Sequence, residues 1–194
     1  GEAYPPRWVP RLYFASHHLG CLADNLDGLV LRNKLRLRWY GTEYPIVQPH
    51  LEMKHKQGLV GTKATLPLDC ALDLDEPWSL SLRRLEAHLT PLWQSRFQGA
   101  SWPVLINRYW REYYVTADNT VRVTLDSRQI AYDQRLTSRP NLRSPLPIED
   151  LAVIEIKASH SHADRVQDVA NAFPIPRTRN SKYAKGMLAA LYSQ

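Results

Sequence analysis

The chain is basic and of ordinary domain size. Its 194 residues carry a formal net charge of +6 at pH 7, and 44% of them are hydrophobic, which is enough to bury a single core. The two cysteines exclude a disulfide framework and favour a reducing compartment. No apolar run is long enough to cross a bilayer, while the excess positive charge suits an anionic partner.

The first half of the chain alternates apolar and polar residues, as β-strands do. Trp8 to Ala15 predicts a first strand, and His17 to Asp27 a helical or looped connection. Leu29 to Tyr40 predicts a long strand. Its alternation places four cations on one face, namely Arg32, Lys34, Arg36 and Arg38. Such a row is either a solvated surface or a site for a polyanion.

The next segments continue this pattern. His50 to Lys56 predicts a strand with Glu52, Lys54 and Lys56 on one face. An acidic loop follows from Pro67 to Pro77. Ser79 to Phe97 has the leucine spacing of an amphipathic helix that is interrupted near Pro91.

The second half contains a predicted hairpin. Val104 to Thr116 and Thr120 to Asp126 flank the short polar connection Ala117-Asp118-Asn119. Arg111 lies on the first of these strands and Arg122 on the second. Two further strands and two C-terminal helices are predicted, at Gln129 to Leu136, Leu151 to Lys157, Ala163 to Ala172 and Arg179 to Tyr192.

Several predicted strands thus have one charged and one apolar face. An antiparallel sheet half exposed to water would produce the same alternation. The polar faces are unusual, however, because they concentrate Arg and Lys with an occasional Glu. We therefore predict an α+β fold, an antiparallel β-barrel tunnel with a polar lumen whose outer face is covered by flanking and C-terminal helices.

Six short segments, in this order, resemble the VTC-type polyphosphate polymerase domain. They are Leu12-Tyr13-Phe14, Arg36-Leu37-Arg38-Trp39-Tyr40-Gly41, Leu51-Glu52-Met53-Lys54-His55-Lys56, Arg122-Val123-Thr124-Leu125-Asp126, Glu155-Ile156-Lys157 and Ser181-Lys182-Tyr183. That domain belongs to the triphosphate tunnel metalloenzyme superfamily, which includes the CYTH proteins. The resemblance implies a single VTC-like domain over residues 1–194 with an eight-stranded tunnel.

The chain departs from the family pattern at two points. The Leu-Tyr-Phe strand lies almost at the start of the sequence, so we expect that the family's first strand is truncated from this chain or left out of its numbering. Ala15-Ser16 stands where the family has Asp-Thr. This second departure affects a polar contact and not the fold.

The resemblance assigns roles to individual residues. Those expected to bind phosphate oxygens are Arg36, Arg38, Lys54, Lys56, Arg111, Arg122, Lys157, Arg179 and Lys182. Six of them are also the expected catalytic residues, namely Arg36, Arg38, Lys54, Arg111, Arg122 and Lys157. Glu155 is the expected ligand of Mn²⁺ or Mg²⁺, with Glu52 as a weaker second. For each charge the alternative is a solvated side chain or a local ion pair.

The implied activity is that of an ATP-dependent polyphosphate polymerase, an enzyme that transfers the γ-phosphate of ATP to a growing chain in the tunnel. A tunnel-type triphosphatase and a noncatalytic polyphosphate-binding regulatory domain are the alternatives. The expected partners are ATP and inorganic polyphosphate, in a cytoplasmic setting, with membrane association only through a partner or a missing segment. Nucleic acid is disfavoured, because the cations alternate onto one face and are mixed with Glu.

Overall fold

The computed structural model describes residues 1–16, 31–41, 44–57, 60–176, 178 and 180–193. Over these residues the chain forms ten strands and four α-helices. The strands are β1 (Glu2–Trp8), β2 (Arg11–Ala15), β3 (Leu31–Arg38), β4 (Ile46–Val47), β5 (His50–Gln57), β6 (Val60–Pro67), β7 (Leu72–Asp73), β8 (Trp102–Val115), β9 (Val121–Asp133) and β10 (Val153–Ala158). The helices are α1 (Trp78–Ala87), α2 (Pro91–Gln98), α3 (Ala163–Asn171) and α4 (Lys182–Tyr192), and His160–His162 forms a short 3-10 turn before α3.

Eight strands form one antiparallel sheet in the order β10-β9-β8-β2-β3-β5-β6, with β1 also paired to β8. The long β8 pairs with β2 near its start and with β1 near its end, so β1 and β2 lie end to end. The sheet curls into a half-barrel. It is not a closed barrel, because within the described ranges its terminal strands β10 and β6 do not pair with each other. Its concave face forms a barrel-like tunnel. The separate pair β4 and β7 forms a small second sheet.

The convex face of the sheet is apolar and is covered by α1 and α2. Leu12, Phe14 and Leu37 from β2 and β3 belong to one buried cluster that includes Trp78 of α1 and Phe97 of α2. The rings of Phe14 and Phe97 meet edge to face with centroids 5.3 Å apart. Apolar burial of this kind supplies most of the stability of a sheet with one polar face.

The concave face is crossed by α4. Its Tyr183 and Met187 form a second buried cluster with Tyr13, Leu105 and Ala131 of the sheet. The Ser181 hydroxyl caps the helix by accepting a hydrogen bond of 3.3 Å from the backbone N–H of Ala184. The helix therefore begins directly over the polar part of the sheet.

The predicted fold class is confirmed, and the hairpin, the basic strand and the two C-terminal helices lie close to their predicted positions. Two predicted boundaries were wrong. Trp8 to Ala15 spans the end of β1 and all of β2, because Pro10 cannot donate a ladder hydrogen bond. Gln129 to Leu136 is partly the continuation of β9. The strands β1, β4 and β6 were not predicted, and β7 lies within the segment predicted as an acidic loop. The predicted connection from His17 to Asp27 lies outside the described residues.

No helix in the described part of the chain is long and apolar enough to span a membrane.

Candidate functional site

One buried carboxylate organises three cations on the concave face. Glu52 is only 1% exposed, and it lies directly opposite Arg36 in the β3–β5 register. Arg36 approaches Oε2 at 2.7 Å, while Arg38 and Lys63 approach Oε1 at 2.8 and 2.7 Å. We call these four residues the Glu52 cluster. A single negative charge here meets three positive ones, so the cluster keeps a net positive charge.

A second buried carboxylate, Asp126, holds two more cations. Arg111 donates to its two oxygens at 2.6 and 2.8 Å, in the parallel fork geometry of a strong ion pair. Lys182, at the start of α4, approaches Oδ2 at 2.8 Å. We call these three residues the Asp126 cluster. It ties the C-terminal helix to the β8–β9 hairpin.

Both carboxylates are held in the ionised form. Burial raises the pKa of Glu52, but the adjacent Arg36, Lys63 and Arg38 outweigh it and lower the pKa to about 2. Burial likewise raises the pKa of Asp126, and Arg111 and Lys182 bring it below its ordinary value. Neither group serves as an acid at neutral pH. Their role is to orient the cations around them.

An aromatic ring lies among the cations of the concave face. Tyr109 is fully buried, and its ring centroid is 4.9 Å from the guanidinium carbon of Arg11, 5.1 Å from that of Arg111 and 4.7 Å from Nζ of Lys182. Positive groups over an aromatic face are attracted by its quadrupole. Burial raises the pKa of Tyr109 to about 12, so this residue is a neutral phenol.

The pKa of Tyr13 is shifted in the opposite direction from that of Tyr109. Tyr13 is 3% exposed, and its ring packs against that of Tyr183 with centroids 5.2 Å apart. Burial raises its pKa, but the positive charges of Arg11 and Arg36 outweigh burial and lower the pKa to about 7. The shift reports the positive potential of the concave face.

A row of lysines continues the basic surface toward β6. Lys54 lies opposite Lys34 of β3 on one side and Lys63 of β6 on the other. Lys34 donates a hydrogen bond of 3.3 Å to the Ser181 hydroxyl, and its Nζ is 5.6 Å from the ring centroid of Tyr183. The predicted row of cations on β3 thus reaches the beginning of α4.

A more exposed group lies at the other edge of the sheet. Lys157 of β10 is directly opposite Arg122 of β9, and it pairs with Glu155 at 2.8 Å. The side chain of Glu155 is 43% exposed and reaches Arg111 at 3.7 Å. Burial raises the pKa of Glu155, and Lys157 and Arg111 together lower it below its ordinary value. Glu155 is therefore an ionised carboxylate with access to solvent beside the Asp126 cluster.

Glu155 and Glu52 differ in their suitability as ligands of a metal ion. Mg²⁺ and Mn²⁺ need one or two carboxylates when phosphate oxygens and water supply the other ligands. Glu155 fits that requirement. Glu52 has both oxygens engaged by cations, which favours an orienting role. The described residues contain no group of three or more His, Cys, Asp or Glu side chains arranged to hold a metal ion.

Most of the predicted phosphate-binding residues share the concave face. The structure brings together Arg36, Arg38, Lys54, Arg111 and Lys182, while Arg122 and Lys157 lie in register toward the β10 edge. Arg179 lies outside the described residues, as do the side chains of Arg32 and Lys56.

The sequence predictions omitted two members of these clusters. Asp126 lies directly opposite Arg111, and counting outward from the predicted turn would have found this pair, because Thr116 and Val121 close the hairpin. Lys63 belongs to β6, where one glycine and two threonines give a weak strand pattern. Arg11, Tyr13 and Tyr109 were also not assigned to the site.

The comparison with protein families agrees with this arrangement. The family profile of the VTC domain matches residues 8–191. The chain belongs to the VTC domain family. This family is associated with polyphosphate polymerase, which suits a concave face crowded with cations. No curated protein matches the chain.

Proposed function

We propose that this VTC domain is an ATP-dependent polyphosphate polymerase that binds its phosphate chain along the concave face. The observation that carries the proposal is the pair of buried carboxylates, each of which fixes several cations in place. Successive phosphates carry closely spaced negative charges, and a linear array of oriented cations complements them. Membership in the VTC domain family supports polyphosphate as the substrate class.

The proposed reaction is an in-line phosphoryl transfer. A terminal phosphate oxygen of the chain attacks the γ-phosphorus of ATP, the bond from that phosphorus to the bridging oxygen breaks, and ADP leaves with the electron pair. The protein's contribution is positioning and charge neutralisation, because the transition state spreads negative charge over the transferred group. No covalent intermediate with the protein is required.

Each cluster has a distinct part in this proposal. In the Glu52 cluster, Arg36 and Arg38 are held by the carboxylate and direct their remaining N–H groups toward phosphate oxygens. In the Asp126 cluster, Arg111 and Lys182 do the same beside the Tyr109 ring. Lys54, Arg122 and Lys157 extend the basic surface at its two ends. The proposed reaction uses no tyrosine or serine of the protein as a nucleophile.

Glu155 is the proposed ligand of Mn²⁺ or Mg²⁺. A divalent ion at this position would neutralise charge on the phosphate oxygens. The neighbouring Lys157 and Arg111 keep the Glu155 carboxylate ionised, which is the form that binds metal. Glu155→Gln should therefore weaken the binding of Mn²⁺ in the presence of polyphosphate, as measured by titration calorimetry.

One assay separates the polymerase from its two alternatives. The purified protein is incubated with ATP and Mn²⁺, and long-chain polyphosphate, free phosphate and ADP are measured together. Polymer with ADP supports the polymerase, free phosphate with ADP supports a triphosphatase, and binding without turnover supports a regulatory domain. Absence of ADP would refute both enzymatic functions.

A binding experiment tests the concave face independently of turnover. The double variant Arg36→Ala with Arg38→Ala should lose polyphosphate binding, because it removes two cations oriented by Glu52. Arg83→Ala is the matched control, since Arg83 is an exposed cation on α1. Retention of binding by the double variant would refute the assignment of the concave face.

A further inference from the structure

We infer that Arg11 forms an additional phosphate-binding subsite on the floor of the concave face, between the Glu52 and Asp126 clusters. This inference rests on the proposed function, because the ligand it assigns is a phosphate group of the polyphosphate chain. It adds a residue that neither the predicted site nor the family resemblance includes.

The first support is the position of Arg11. In the β2–β3 register it lies directly opposite Arg38 of the Glu52 cluster. On its other side it lies opposite Asn107 of β8. Its guanidinium carbon is 4.9 Å from the centroid of the Tyr109 ring, which also contacts Arg111 and Lys182 of the Asp126 cluster. Arg11 thus bridges the gap between the two groups of cations.

The second support is the charge balance. Arg36, Arg38, Arg111 and Lys182 each pair with a buried carboxylate. Within the described part of the chain, Arg11 pairs directly with no carboxylate. Its positive charge is repelled by that of Arg111, while Tyr13 and the more distant Glu52 attract it. Arg11 is half-buried, and a guanidinium removed from water without a directly paired carboxylate is costly unless an anion compensates it. A phosphate oxygen would supply that compensation.

The third support is a set of buried polar atoms on neighbouring residues, since Asn107 lies opposite Arg11 and the Tyr109 ring lies beside its guanidinium. Nε of Arg11, Oδ1 of Asn107 and the hydroxyl of Tyr109 are buried and have no hydrogen-bond partner among the described residues. Asn107 is 4% exposed and Tyr109 is fully buried. Buried polar groups are almost always hydrogen-bonded in native proteins. Their coincidence beside Arg11 marks a place where a polar ligand binds, since Nε of Arg11 and the Tyr109 hydroxyl are both donors suited to a phosphate oxygen.

Arg108 provides a matched control on the opposite side of the sheet. It follows Asn107 in β8 and therefore faces away from the concave surface. Its Nε is also buried without a partner among the described residues, and its guanidinium carbon is 5.4 Å from the Trp8 ring centroid. The two arginines share burial and stacking, but only Arg11 lies with the clustered cations.

The test compares equilibrium binding of a short polyphosphate of defined length to the wild type, Arg11→Met, Arg11→Gln and Arg108→Met by titration calorimetry. Both Arg11 variants should bind about tenfold to a hundredfold more weakly, the range expected for loss of a charge-assisted hydrogen bond. Arg108→Met should bind within about twofold of the wild type. The measurement is made at about pH 6, below the pKa of about 7 for Tyr13, so that this phenol is neutral.

The outcomes also distinguish this inference from the proposed function. Wild-type affinity in a folded Arg11→Met or Arg11→Gln variant would overturn the subsite, while loss of binding in the Arg36 and Arg38 double variant would leave the proposed function standing. If the wild type binds neither polyphosphate nor ATP, the Arg11 subsite and the proposed function are both refuted.

A purely structural role for Arg11 predicts a different result. Thermal unfolding would then show a loss of stability, with unchanged affinity in the fraction that folds. If both neutral variants unfold, Arg11→Lys decides, because it keeps the charge but loses the planar fork of donors. An affinity several-fold below that of the wild type supports the subsite, and an unchanged affinity overturns it.

Discussion

Arg36 and Glu52 lie directly opposite each other on β3 and β5, and two nitrogens of the guanidinium approach the same carboxylate oxygen at 2.7 and 2.8 Å. The pair is a fixed feature of the sheet, because register and side-chain contact agree. The carboxylate orients the arginine, but it also occupies donors that a phosphate would use. Glu52 is therefore both a support for the site and a competitor of its ligand.

Glu52→Gln should reduce the free energy of unfolding by about 3 kcal/mol, since it removes the buried charge that pairs with three cations. Saturating polyphosphate should recover much of that loss, because phosphate oxygens replace the carboxylate. Urea unfolding with and without polyphosphate measures both effects. Glu76→Gln is the control, since it removes a surface pair with Arg84 and should change little. Equal stabilisation of the wild type and Glu52→Gln by polyphosphate would contradict the competition.

The acid limb of the stability curve should depend on Glu52. Its pKa is lowered from 4.5 to about 2 by Arg36, Lys63 and Arg38 against the effect of burial. The unfolded state therefore binds a proton at higher pH than the folded state does. The stabilisation is complete above about pH 4.5 and is lost as the pH falls toward 2. Urea midpoints across this window should fall less steeply for Glu52→Gln than for the wild type, and parallel curves would refute the assignment.

Gly186 should be intolerant of a side chain because α4 packs closely on β8. A Cβ at this position would lie 2.5 Å from Cδ2 of Leu105, and Leu105 is fully buried. Gly186→Ala should cost about 2 kcal/mol of stability through overpacking, although alanine favours helix by about 1 kcal/mol. It should also weaken polyphosphate binding by displacing Lys182.

Gly99→Ala is the matched control for this helix substitution. Its added Cβ would meet only backbone atoms at 3.9 and 4.0 Å, an ordinary contact distance. We expect its urea midpoint to stay near that of the wild type. A Gly186→Ala variant as stable as Gly99→Ala would show that α4 does not pack as tightly as described.

The faces of the strands could be predicted from sequence because they depend only on alternation. Alternation placed Arg36 with Arg38 on one face of β3 and Lys54 with Glu52 on one face of β5, and both placements agree with the register that joins the two strands. Cross-strand partners depend on register and on distant segments. Lys63 pairs with Glu52 from a strand with a weak pattern, and Lys182 reaches Asp126 from the C-terminal helix.

The unassigned residues of the floor show the same limit. Arg11 reads in sequence as one more charge beside an apolar strand, and only the packing of β8 beside β2 brings it to Tyr109. Burial of Tyr109 and of Asn107 is likewise a property of the folded sheet. The alternation of residues along each strand predicted the basic surface. The groups that pair with its charges could be identified only from the tertiary structure.

Tyr13 offers a spectroscopic probe of that surface. One of the ten tyrosines should ionise with a midpoint near pH 7, because Arg11 and Arg36 lower the pKa of Tyr13 to about 7 despite its burial. The ultraviolet absorbance of tyrosinate measures this step, which Tyr13→Phe should abolish. Tyr109→Phe should leave it in place, since the pKa of Tyr109 is raised to about 12.

Polyphosphate should move this titration upward. A phosphate bound beside Arg11 and Arg36 offsets the positive charge that stabilises the phenolate, so the pKa of Tyr13 should rise toward its ordinary value. Repeating the absorbance titration with saturating polyphosphate tests the binding face without any assay of turnover. Since the Tyr13 phenol lies within the field of both arginines, a midpoint that polyphosphate does not shift would place the bound chain away from the floor of the concave face.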